Sequence, residues 1–103
     1  HMTHSDFDYS EYPSDTLLNA IKNAQNYQRE CVSKYKSCTK KLRNPRGYSK
    51  QKLMYCQSYV RNFHLTLDGI KTEIQECQKE LAKREATADY VKECANSTFE
   101  HLA

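Results

Sequence analysis

Apolar side chains recur along this chain in alternating steps of three and four. From residue 17 the series runs Leu17, Ile21, Ala24, Gln28, Cys31, Tyr35, Cys38, Leu42, with Gln28 its one polar member. Such steps place every member on one face of an α-helix. Pro13 closes the segment before this series, and Ser14 or Asp15 is suited to cap the helix. Asn44-Pro45-Arg46-Gly47 then interrupts it, because a residue before proline is pushed out of the α region and glycine permits a positive φ. Ser49 is placed to cap a second helix, whose stripe reads Leu53, Cys56, Val60, Phe63, Leu67, Ile70, Ile74, Cys77, Leu81. The phase does not slip at Gly69, so the pattern predicts one helix over about 49–84, roughly 50 Å long, with a kink at Asp68-Gly69 as the rival. Thr87 is placed to cap a third, shorter helix carrying Tyr90 or Val91, Cys94, Thr98 and Leu102 inward. Short connections make successive helices antiparallel. The expected fold is all-α: a small antiparallel three-helix bundle with a long central helix over residues 14–103, preceded by an arm over 1–13, of which His1-Met2 reads as a cloning remnant.

Composition adds a thin core and a reason to look for staples. The chain has 103 residues, 38% of them hydrophobic, a mean hydropathy of −0.95 and five cysteines. A chain this short buries little of its surface and is often cross-linked when it is secreted. No two cysteines stand at zinc-ligand or redox-motif spacing. No metal or cofactor is expected, and no apolar run approaches the ~20 residues of a membrane span. A hairpin turning near residue 46 sets residue i opposite roughly 92 − i, bringing Cys38 near Cys56. A second turn near 86 would bring Cys77 beside Cys94. Two disulfides, Cys38–Cys56 and Cys77–Cys94, are therefore expected. Cys31 is left over. It is either a buried thiol packing as a small hydrophobe or a bridge to a second chain, so a monomer is expected with a Cys31-linked dimer as the alternative. Asn96-Ser97-Thr98 is a glycosylation sequon. These features together point to a secreted, extracellular chain.

The net charge of +3 conceals segregation. Between Arg29 and Lys52 stand nine basic residues and one acid, Glu30. The predicted hairpin gathers Lys36, Lys40, Lys41, Arg43, Arg46, Lys50 and Lys52 at its tip, with Tyr48 and Tyr55 as candidate aromatic anchors. Such a tip steers association with anionic partners, a glycosaminoglycan or an acidic protein surface; no motif points to nucleic acid. A solvated helix face that keeps a thin bundle soluble is the plainer reading of the same charges. Residues 3–15 carry four acids and no base. Within them Asp6, Asp8, Tyr9, Glu11 and Tyr12 mix acids with tyrosines, as tyrosine-sulfation sites and the exosite-binding tails of blood-feeder anticoagulants do. A disordered acidic terminus explains the composition equally.

Catalysis finds no footing. His64 is the one histidine inside a long predicted helix, and no serine or cysteine stands three or four residues from it. With two glycines in the chain there is no phosphate-cradling loop. The expectation is a protein that binds, not an enzyme.

Glu11-Tyr-Pro-Ser-Asp-Thr-Leu-Leu, then Asn26-Tyr-Gln-Arg-Glu-Cys-Val-Ser-Lys-Tyr-Lys-Ser-Cys38, and Met54-Tyr-Cys-Gln-Ser-Tyr59 after the turn, lend the chain a resemblance to the anophensin and albicin group, small helical salivary proteins of anopheline mosquitoes. The resemblance spans residues 11–103 and lies in size, helix order and cysteine placement. It implies a secreted salivary inhibitor of host defence in blood feeding. In the albicin branch the target is the alternative-pathway complement convertase; in the anophensin branch it is contact activation of the kallikrein–kinin system. The implied partner is thus a host plasma protein, a convertase or a contact or coagulation factor. A dimerising structural or adaptor protein is the alternative outside blood.

Overall fold

A computed structural model of the chain describes residues 8–102, and side chains as far as residue 94. A 3-10 turn, Tyr9–Glu11, leads into helix α1, Ser14–Arg43; helix α2 then runs without a break over Lys50–Leu102. Among the described residues the fold is all-α as expected, but it holds two α-helices rather than three. Between Lys83 and Ala88 stand no glycine and no proline, only good helix formers and Thr87. Thr87 does not cap a new helix: its hydroxyl donates to the Lys83 carbonyl at 2.9 Å, one turn back in the same helix. Gly69 is also passed without interruption.

The ends of the elements follow local chemistry. Pro13 stands before α1 with no side-chain cap, and neither Ser14 nor Asp15 takes that role. The Asn44 N–H donates to the Lys40 carbonyl at 3.1 Å and closes the helix. Tyr48 N–H then donates to the Pro45 carbonyl at 3.2 Å, and Gly47 takes φ +92°, which its missing Cβ allows. Ser49 caps α2, its hydroxyl accepting from the Lys52 N–H at 3.1 Å.

The molecule is a rod of 80 × 26 × 17 Å with a radius of gyration of 22.0 Å, where a compact chain of this length would have about 13 Å. Its long axis is α2 itself, since 53 helical residues extend about 80 Å. The core is a single seam between the two helices. On α1 the buried residues are Leu17, Ala24, Cys31 and Cys38, each seven after the last. On α2 the buried Cys56, Ile70 and Cys77 fall on the same seven-residue repeat, with half-buried Phe63 filling the fourth place. A strict repeat of seven is the pattern of an antiparallel coiled coil. Matched end to end, the two series give four layers, Leu17 with Cys77, Ala24 with Ile70, Cys31 with Phe63 and Cys38 with Cys56. Ala24, Cys31, Ile70 and Phe63 share one apolar cluster with Ile74. In every layer the paired numbers add to 94, so the hairpin is symmetric about Gly47 and its register is two residues beyond the expected 92.

The cysteines are the clearest correction. None of the five is in a disulfide. The closest sulfur pair stands 3.3 Å apart, against about 2.05 Å for a bond. Cys38 and Cys56 do share a layer and contact each other through their thiols. Cys77 and Cys94 cannot meet at all: they lie on one continuous helix, seventeen residues and about 26 Å apart. Among the described residues four of the seven buried side chains are cysteines. They act as small hydrophobes, and three of the four layers set one against a partner that is larger or equal. Cys31, the unassigned thiol, is 4% exposed at the centre of the seam.

Candidate binding surfaces

Two regions of the rod collect polar chemistry, and they lie at different levels. The first is the hairpin tip. Lys36, Lys40, Arg43, Arg46, Lys50 and Lys52 are all exposed there, and Lys41 is half-buried. The antiparallel turn brings the last two turns of α1 and the first two of α2 side by side, so residues far apart in number share one end. Tyrosines are threaded among the cations. Lys34 Nζ lies 4.9 Å from the Tyr55 ring centre and 5.0 Å from that of Tyr59. Lys41 lies 5.6 Å from Tyr48 and Lys52 lies 5.9 Å from Tyr55. Each is a cation–π contact. Contact with Tyr55 holds the Lys34 ammonium above its usual range. Tyr48 and Tyr55 keep 44% of their surface open, while Tyr35 and Tyr59 turn toward the seam. Tyr35 stacks on Phe63 with ring centres 4.2 Å apart. The Tyr59 hydroxyl donates to the Cys31 carbonyl at 3.1 Å. Burial, then that thiol and its neighbours, push the Tyr59 phenol up to about 12.

The second region is where the N-terminal segment crosses the rod, at the level of Arg84 on α2, far from the tip. Arg84 holds it there. Its Nη2 donates to the carbonyls of Tyr9 at 3.2 Å, Ser10 at 3.3 Å and Tyr12 at 2.5 Å. Its Nη1 donates to Ser14 Oγ at 2.9 Å, and its Nε pairs with Glu80 at 2.9 Å. The planar guanidinium fork suits such a set of acceptors. Arg84 stands seven residues after Cys77, at the next seam position, where α1 has already ended. The arm's carbonyls take the place of an apolar partner.

Of the acidic-arm candidates, Asp6 lies outside the described residues. Asp8 caps the 3-10 turn, accepting from the Ser10 N–H at 3.1 Å and from the Ser10 hydroxyl. Those bonds hold its carboxyl below the ordinary range. Glu11 and Tyr12 are exposed, whereas Tyr9 is half-buried against α2. Burial raises the Tyr9 phenol, and nearby Cys77, Glu73 and Glu76 push it the same way. Between the arm and the helices lies an open cavity of about 290 Å³ lined by Tyr9, Tyr12, Thr16, Leu17, Ala20, Glu73 and Cys77. Neither Arg84 nor the cavity was anticipated. The available signal was a lone arginine on the apolar repeat 56, 63, 70, 77, 84.

Asn96 belongs to the part of α2 whose side chains are not described, and His64 is exposed. Among the described residues no three histidine, cysteine or acidic side chains are grouped to hold a metal ion. No described helix is long and apolar enough to cross a membrane. No family model matches this chain, and no similar curated protein or solved structure is found.

Proposed function

We propose that the protein is a secreted, non-enzymatic inhibitor that binds a host plasma protein through its basic hairpin tip, with the alternative-pathway complement convertase as its target. The observation that carries the binding mode is the tip itself. Six exposed cations and two half-open tyrosines converge on one end of the rod, and cation–π contacts from Lys34, Lys41 and Lys52 order the tyrosines Tyr48 and Tyr55 before any partner arrives. Preordering lowers the entropy lost on binding, and a one-signed patch at the end of a rod speeds encounter with an acidic surface. The choice of target rests on the resemblance of residues 11–103 to the albicin group.

Lysis of erythrocytes through the alternative pathway tests both parts. The protein should suppress it at micromolar concentration, and unchanged lysis removes this target. The quadruple variant K36Q/K40Q/K50Q/K52Q should lose at least tenfold in potency while keeping its helicity, because these side chains are exposed and hold no buried contact. Full potency in that variant would move the contact away from the tip. A second reading, inhibition of a contact or coagulation factor, is favoured by the exposed Asp8, Glu11 and Tyr12 of the arm. It predicts prolonged clotting that E11Q/Y12A shortens; normal clotting times with the unaltered protein would exclude it.

A further inference from the structure

The cavity beneath the arm has a composition that selects one kind of ligand. Leu17, Ala20 and Cys77 give its lining an apolar part, and the arm adds Tyr9 and Tyr12 beside Thr16. Glu73 is the one charged residue in its lining. Arg84, which fixes the arm, is fully engaged by the arm's carbonyls, Ser14 and Glu80. Arg84 with Glu80 is the only ion pair among the described residues, so no described cation is paired with Glu73. Glu76 also lies near enough to Tyr9 to act on its phenol. A carboxylate in one lining with two tyrosines and an apolar part is the chemistry that holds an ammonium group by charge and by the ring faces. A volume of 290 Å³ equals about ten water molecules at ~30 Å³ each, enough for a ligand of roughly ten non-hydrogen atoms.

We infer that this cavity is a binding site for a small organic amine with an apolar body, its ammonium on Glu73 between Tyr9 and Tyr12 and its body over Leu17, Ala20 and Cys77. The site is distinct from the basic tip and independent of the function proposed for it. The arm forms one wall, so Arg84, by fixing the arm's carbonyls, is a positioning residue for the site.

Phenethylamine, with nine non-hydrogen atoms and a single ammonium, is the probe, and 2-phenylethanol is its uncharged counterpart. Calorimetric titration of the full chain should show saturable binding of the amine and at least tenfold weaker binding of the alcohol. Glu73→Gln should weaken the amine at least tenfold and leave the alcohol unchanged. Glu73 is exposed and makes no structural ion pair, so this variant keeps the fold, and its circular dichroism checks that. Arg84→Ala should weaken both probes together, since it releases a wall rather than a charge. Absence of saturable binding up to millimolar amine, equal binding of amine and alcohol, or undiminished binding by Glu73→Gln would each overturn the inference.

Discussion

The two parts of helix α2 differ in what lies against them. Its first part, Lys50 to Arg84, lies against α1 or the arm, and its seam positions are buried or half-buried. Its last part, 85–102, continues the same repeat with nothing described against it. Cys77 and Val91 stand two repeats apart on one stripe, yet Cys77 is 1% exposed and Val91 is 59% exposed; Tyr90 beside it is 67% exposed. The sequence pattern does not change at residue 85; the neighbour does. An apolar stripe makes a helix possible, but burial of that stripe supplies most of its stability.

The sharpest way to break this comparison is to delete equivalent side chains on either side of Arg84. Ile70→Ala should lower unfolding stability by about 2–4 kcal/mol, because a buried branched side chain leaves a cavity behind. Val91→Ala should change it by no more than about 0.5 kcal/mol, as exposed substitutions do. Denaturant titration of the two variants compares them directly, and equal losses would mean that the terminal segment is packed in solution.

The boundary comes next. Arg84→Ala should cost about 1–3 kcal/mol by leaving several acceptors without a donor, and it should expose amides 9–12 to rapid hydrogen exchange. Unchanged protection of those amides would show that the arm is held by something else. Amides of 85–102 in the unaltered protein should already exchange faster than those of 53–81.

Alkali probes the covered half alone. Folding favours the neutral Tyr59 phenol, so its contribution is complete below pH 10, the ordinary tyrosine value, and is lost as pH rises toward about 12. Tyr59→Phe should flatten the fall in stability across that window, measured by thermal melts at several pH values. A fall of the same steepness in the variant would assign the alkaline loss to other groups.

The smallest effect is a gain. Gly69 lies within the covered half, exposed, and an added Cβ meets nothing within 4 Å. Gly69→Ala should therefore raise stability by roughly 0.5–1 kcal/mol. The same added methyl at Gly47, where φ is +92°, should instead destabilise by about 1–2 kcal/mol. Melting temperatures moving in the same direction for both would contradict this account of the turn.

Much of the hairpin was legible in the residues. Both apolar stripes, the Asn-Pro-Arg-Gly turn, the Ser49 cap and the gathering of cations at the tip all follow from local rules. The third helix was a misreading of Thr87 as punctuation; without glycine or proline nearby, a threonine bonds back to its own helix instead. That misreading carried the Cys77–Cys94 bridge with it, since the bridge needed a chain reversal near residue 86. The remaining bridge foundered differently. Cysteines seven apart on one stripe and three sevens apart on the other satisfy a packing repeat as well as a cross-linking scheme, and spacing alone does not separate the two. The cavity and the Arg84 clamp depend on where the arm residues come to rest on a helix more than sixty positions away, and no short-range pattern encodes that.

The placing of Cys31 and Cys38 on one helix, and of Cys56 and Cys77 on the other, makes the seam its own reporter. All four sulfurs are buried while the helices are closed, Cys77 keeping 1% of its surface open where it lines the cavity beneath the arm, and burial raises the Cys38 and Cys77 thiols further above the reactive range. In a Cys94→Ser background, the order in which the four are modified would trace how the rod comes apart. Modification of Cys38 and Cys56 first would mean that it unzips from the turn; Cys77 first would mean that it opens from the arm. A single common rate would mean that the two helices part all at once.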